Sequence, residues 1–175
     1  EYVLNTFCFG YKVGYRFLQT ESGACNGNFL GIGADAANVA VQVDQCQGIG
    51  LLITNGEFVS FLEPEPTEVV VAPSNTGLVQ FSNCAFWGPC NQIAKIAGKG
   101  TVGFGDCTFT QWGGKEGTLP AIQARGGTVL VRGCEFRQDR PQIQLGKNVR
   151  RAVIAENVFT GAERIANESA GNVQI

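Results

Sequence analysis

The sequence predicts an all-β fold, a right-handed parallel β-helix built from short stacked coils. Three observations carry that expectation: a repeat that ends on Phe, a period-two alternation inside it, and a composition rich in Gly and poor in charge. Five segments align on their last residue: LLITNGEF at Phe58, LVQFSNCAF at Phe86, TVGFGDCTF at Phe109, TVLVRGCEF at Phe136 and AVIAENVF at Phe159. The intervals of 28, 23, 27 and 23 residues suit one solenoid coil plus small insertions.

Inside each repeat the same positions are apolar or small. Seven residues before the Phe stand Leu51, Val79, Val102, Val129 and Ala152; five before stand Ile53, Phe81, Phe104, Val131 and Ile154. Two before stand Gly56, Cys84, Cys107, Cys134 and Asn157. Steps of two mark strands, because alternate residues of a strand share a face. The one step of three, at pairs such as Ser82-Asn83 and Gly105-Asp106, reads as a bend between two short strands. Helical spacing of three and four is absent.

A second apolar segment follows in each coil: QIAKIAG, PAIQARG, PQIQLG and the weaker ERIANES, with turns expected at Gly98, Gly126, Gly146 and Gly171. Stacked coils would pair in parallel and bury continuous columns, with the right hand that parallel crossovers adopt. The stretch 10–47 is less regular and reads as roughly two coils, from GYKVGYRF, GNFLGIG and VAVQVDQC. Residues 63–73 carry three prolines and read as a loop insertion leading into VVVA. At the start, Tyr2, Asn5 and Phe7 match the last inward positions of a strand; at the end, Val173 and Ile175 match the first inward positions of a further repeat. Residues 1–175 are therefore expected to form a single β-helix domain, incomplete at both ends and part of a longer solenoid. Isolated, it should aggregate through its uncovered edges.

Composition narrows the function. Net charge is −2 with no basic run, unlike a nucleic-acid binder. No apolar stretch approaches the roughly 20 residues of a membrane-spanning helix. With no His, a Ser/His/Asp arrangement is excluded and the commonest general base is missing. The seven Cys lack C-x-x-C pairs, so no zinc site is expected. Cys84, Cys107 and Cys134, continued by Asn157, would stack on successive coils. That column is either a redox or metal stack or, more simply, a ladder of small buried side chains. One disulfide among Cys8, Cys25, Cys46 and Cys90 would be compatible with their positions.

Glycoside chemistry calls for two carboxylates about 5–9.5 Å apart. Outward-facing Glu57 and Glu135 share a column, but Ala85 and Thr108 separate them, an estimated ~14 Å at about 4.8 Å per coil. Asp106 sits at a bend, and Asp35 and Asp44 lie in the irregular first third. Asp139, beside Arg137 and Arg140, would either hold an acidic sugar or form a surface ion-pair cluster. Trp87 and Trp112 fall just past their repeat Phe, where the chain leaves the sheet; they would either stack on sugar rings or cover the core beneath the loops. Lys95, Lys99, Arg125 and Lys147 would form a basic stripe on another sheet. GIGADAAN lacks the strand-turn-helix setting of a dinucleotide site.

The repeats VQFSNCAF, VLVRGCEF and VIAENVF, with GYRF, GIGAD and GLLITNGEF, resemble the coils of the pectate-lyase-like right-handed parallel β-helix superfamily, most closely the pectate lyase 3 and glycoside hydrolase family 28-related group. The resemblance implies a secreted or cell-surface polysaccharide-binding or polysaccharide-degrading protein acting on uronate-type glycans. It implies no cofactor, or Ca²⁺ if the chain is a lyase. The clustered Asp and His of the hydrolases have no match here, and Arg137 with Asp139 is the nearest echo of the lyase pattern. The substrate-binding residues expected are thus Trp87, Trp112, Arg137, Asp139 and Arg140. The partners expected are polysaccharide, the remaining coils and, in some assemblies, further copies. The alternative reading is a non-catalytic adhesion solenoid such as a surface fibre or phage tailspike.

Overall fold

A computed structural model describes residues 1–175, and it contains strands and turns but no helix. Chains of parallel pairing wind the strands into a solenoid of about seven turns, each with three faces. The second face is the clearest. Its seven strands stack in the order Phe7–Phe9, Gly33–Ala37, Glu57–Ser60, Ala85–Trp87, Thr108–Thr110, Glu135–Phe136 and Val158–Phe159. We number the coils 1 to 7 by these strands.

The first and third faces belong to one larger sheet of 14 strands. They merge because Ile122–Arg132 and Ile143–Ala155 each run along the third face of one coil, through the corner, onto the first face of the next. All pairing between coils is parallel; only Gln19–Thr20 folds back antiparallel on Gly23–Leu30.

The expected Phe column exists. Phe58, Phe86, Phe109, Phe136 and Phe159 are register partners on successive coils. Their ring centroids lie 5.2, 5.5, 4.7 and 5.1 Å apart. Beside it run Ile53, Phe81, Phe104, Val131 and Ile154, in which Phe81 and Phe104 stack at 5.3 Å. Edge-to-face contacts, such as Phe86 on Phe104 at 5.8 Å, knit the columns into one core. Each such pair adds about 0.5–1.5 kcal/mol beyond area burial.

The bend predicted by the step of three is a left-handed residue in every coil: Asn5, Gly31, Asn55, Asn83, Asp106, Gly133 and Glu156, with φ between 50° and 64°. Gly, Asn and Asp tolerate this conformation best, which explains their dominance there. The first six reverse the alternation without breaking the stack, because each N–H still donates to the next coil, as Asn83 does to Gly105 O at 2.9 Å. The Asn83 side-chain amide also donates to Asn55 Oδ1 at 2.8 Å.

Two expectations need correction. Tyr2 and Phe7 point outward, 83% and 64% exposed, and Asn5 is the bend; Val3 and Cys8 are the inward residues. The coil 2 residue of the Phe column is Ala34, so no Phe was available there to fix the register of coil 1. The insertion at 63–73 is also shorter than expected. Thr67–Val71 forms a third-face strand in register with Val39–Val43 and Gln92–Ile96. At the other end, Asn172–Gln174 pairs with Ile143–Ala155 and sets Val173 over Ala152, as the repeat anticipates.

Candidate functional site

Loop lengths between the second and third faces notch the surface at coil 4. Coil 4 crosses that corner with the short loop 88–91, whereas coil 3 uses 61–66 and coil 5 uses 111–121. The longer loops rise on either side of coil 4. Two hollows result, of about 410 and 590 Å³, and Asn91 lines both.

The first hollow lies at the corner. Cys90, Gln111, Trp112, Gln138 and Arg140 line it. Lys115 Nζ and Glu63 Oε1 pair across it at 3.7 Å. The second hollow runs along the outward side of the third face, between Val70 of coil 3 and Gln123 of coil 5. There Lys95 pairs with Glu65 at 3.2 Å, and Arg125 donates to Gln123 Oε1 at 3.4 Å. Gln123 in turn donates to Gln144 Oε1 on the next coil at 2.9 Å. The surface is therefore amide-rich, with exposed Arg125 beside it. Lys95 and Arg125 of the expected basic stripe share this groove; Lys99 and Lys147 do not line it.

The five expected binding residues do not converge. Trp112 is fully buried and offers no open face: its Nε1–H donates to Pro141 O at 2.8 Å, and its ring meets Phe136 edge-on at 6.0 Å. It covers the core, the structural one of its two readings. Trp87 remains 43% exposed at the end of the second face of coil 4, and its Nε1–H donates to Glu57 Oε1 at 3.1 Å. Arg137 pairs with Glu135 at 2.7 Å on the outward second face. Asp139 pairs with Arg164 at 2.6 Å, not with its neighbouring arginines. Arg140 donates to Trp112 O and lies along Gly113 and Gly117, which helps to hold the 111–121 loop. Neighbours in sequence, Arg137, Asp139 and Arg140 each bind a different element.

The register places Ala85 and Thr108 between Glu57 and Glu135, as expected from the repeat. Among the lining residues of the two hollows the only acids are Glu63 and Glu65, and each already holds a lysine. All seven cysteines are free. Cys84, Cys107 and Cys134 form the buried ladder, their thiols donating to Ser82, Gly105 and Arg132 carbonyls at 3.4, 3.2 and 3.3 Å. Hydrogen bonds to Cys134 and Cys84, together with burial, push the Cys107 thiol up. Asn157 continues the column by accepting from Cys134 N at 3.0 Å and donating to Val131 O. No group of three His, Cys, Asp or Glu side chains is arranged to hold a metal ion. No helix is long and apolar enough to cross a membrane.

One residue escaped sequence reasoning. Glu68 is fully buried, and neither carboxyl oxygen has a hydrogen-bond partner. Burial drives its carboxyl well above the usual range. A lone Glu opening the apolar run EVVV was the available signal. Comparison with family models, curated proteins and solved structures gave no match to this chain.

Proposed function

We propose that this chain is a polysaccharide-binding section of a secreted or cell-surface β-helix, akin to the pectate-lyase-like solenoids that its coils resemble. The glycan lies across coil 4, through the notch and along the third-face groove. The observation that carries the reading is the short 88–91 loop flanked by longer ones, which opens an elongated, amide-lined surface. Asn91, Gln111 and Gln123 suit sugar hydroxyls, and Arg125 and Lys95 suit uronate carboxylates. Trp87, on the same coil, supplies a half-open indole at the approach to the notch.

Binding without cleavage fits these side chains better than hydrolysis does, since both acids that line the notch are held in ion pairs. Affinity electrophoresis against polygalacturonate and against a neutral glucan tests the reading. Retardation by polygalacturonate, weakened at least tenfold in Lys95→Ala/Arg125→Ala, is expected. Unchanged mobility in both gels would overturn it, and release of unsaturated oligosaccharides would replace binding with lyase action.

A further inference from the structure

Of the 13 Lys and Arg side chains, Arg16, Lys95, Lys115, Arg137 and Arg164 are held by carboxylates. Lys99, Arg125, Lys147, Arg150 and Arg151 are not, and all five are exposed at one place, the corner where third-face strands pass onto the first face. Lys99 stands where the chain leaves coil 4, Arg125 where it leaves coil 5, and Lys147, Arg150 and Arg151 where it leaves coil 6. Two steps of ~4.8 Å put all five within about 10 Å along the solenoid. The same corner carries no charge at residues 72–77 of coil 3, and Asp44 of coil 2 is already taken by Arg16. Glu168 follows on coil 7 and lies in no ion pair with the five. The chain's net charge is −2, so gathering five cations here without a carboxylate builds a local field that an anionic ligand relieves.

The backbone draws these side chains together. Glycines let successive corners stack closely: a Cβ on Gly127 would lie 2.5 Å from Gly100 O, and one on Gly171 2.3 Å from Arg150 O. Arg150 falls at a break in the ladder between Ile122–Arg132 and Ile143–Ala155, where Gly127 pairs with Val149 but Thr128 pairs with Arg151. Such an extra residue re-aims its side chain. The Arg150 guanidinium reaches back past coil 5 and donates to Lys99 O, which anchors a fork of five N–H donors beside Lys99.

We infer that this corner binds the sulfate groups of a sulfated polysaccharide. The glycan as carrier rests on the reading under Proposed function; the corner itself selects the anion. A sulfate ester stays ionised and presents three terminal oxygens, enough to collect donors from three coils, whereas a uronate carboxylate presents two. Residues 97–100, 125–128, 146–151 and 167–172 include no aromatic ring, so the corner lacks the stacking platform on which single-stranded nucleic acid lies. Arg125 also lines the third-face groove, so a chain lying there runs on to this corner.

Affinity electrophoresis of the purified chain against dextran sulfate, polygalacturonate and single-stranded DNA tests the inference, with circular dichroism confirming that each variant is folded. Dextran sulfate should retard the wild type more than polygalacturonate does, and added salt should relieve the retardation. Lys99→Gln/Lys147→Gln should weaken retention by dextran sulfate about fivefold. Lys12→Gln/Arg132→Gln removes the same charge away from the corner and should leave retention within about twofold. Equal weakening in the two pairs would overturn the inference, as would retardation by DNA as strong as that by dextran sulfate. Failure of the groove reading looks different: no effect of polygalacturonate, beside dextran sulfate retention that depends on Lys99 and Lys147, removes the groove reading and supports the corner.

Discussion

Asn83 and Asn55 occupy the same bend on adjacent coils, and their side chains bond at 2.8 Å while both backbones sit in the left-handed region. This arrangement turns the chain between the first and second faces without interrupting the stack. Asn83→Ala removes the bond and leaves a side chain poorly suited to φ of 52°. A loss of about 1–3 kcal/mol in urea unfolding is expected, and Asn83→Gly should lose less.

The Phe column sets the second expectation. Phe109 is fully buried between Phe86 and Phe136, so Phe109→Ala should lose about 3–5 kcal/mol. Phe159 is only half-buried at the edge of coil 7, and the same substitution there should lose markedly less. Equal losses would contradict the column.

Glu68 makes stability depend on pH. Its folded pKa is raised by burial, so folding favours the protonated form. The stability this contributes is fully present below the ordinary carboxylate pKa of about 4.3 and is lost as pH rises toward the folded value. Urea midpoints should therefore fall with rising pH across that window, and Glu68→Gln should flatten the slope. A wild-type midpoint that rises throughout would contradict the burial of an unpaired acid.

The two tryptophans should separate cleanly. Trp112→Phe removes one of the two donors to Pro141 O, leaving the Ala121 N–H at 3.1 Å, and opens space beside Phe136. It should lower stability by about 1–3 kcal/mol. Trp87→Ala should leave stability within about 1 kcal/mol, because its ring is half-exposed, and should weaken retention by polygalacturonate.

Coil architecture was legible because it repeats: Phe58, Phe86, Phe109, Phe136 and Phe159 announce one position five times. Where the repeat lost its marker, at Ala34 and Cys8, the register slipped by one residue. The site was less legible. A notch arises from the difference between the 88–91 loop and its neighbours, and loops carry no periodicity from which to infer their mutual placement. Trp87 and Trp112 each follow a repeat Phe, yet one ring bonds to Glu57 at the surface and the other turns inward onto Phe136. Only the path of each loop separates those outcomes.

Nuclear Overhauser contacts between phenylalanine rings, recorded on protein labelled only at Phe, test the stacked columns most directly. Strong contacts linking Phe58 to Phe86, Phe86 to Phe109, Phe109 to Phe136 and Phe136 to Phe159 are expected, given centroid separations of 4.7–5.5 Å. Rings that contact only sequence neighbours, or that contact one another in some other order, would contradict the solenoid and everything built on it.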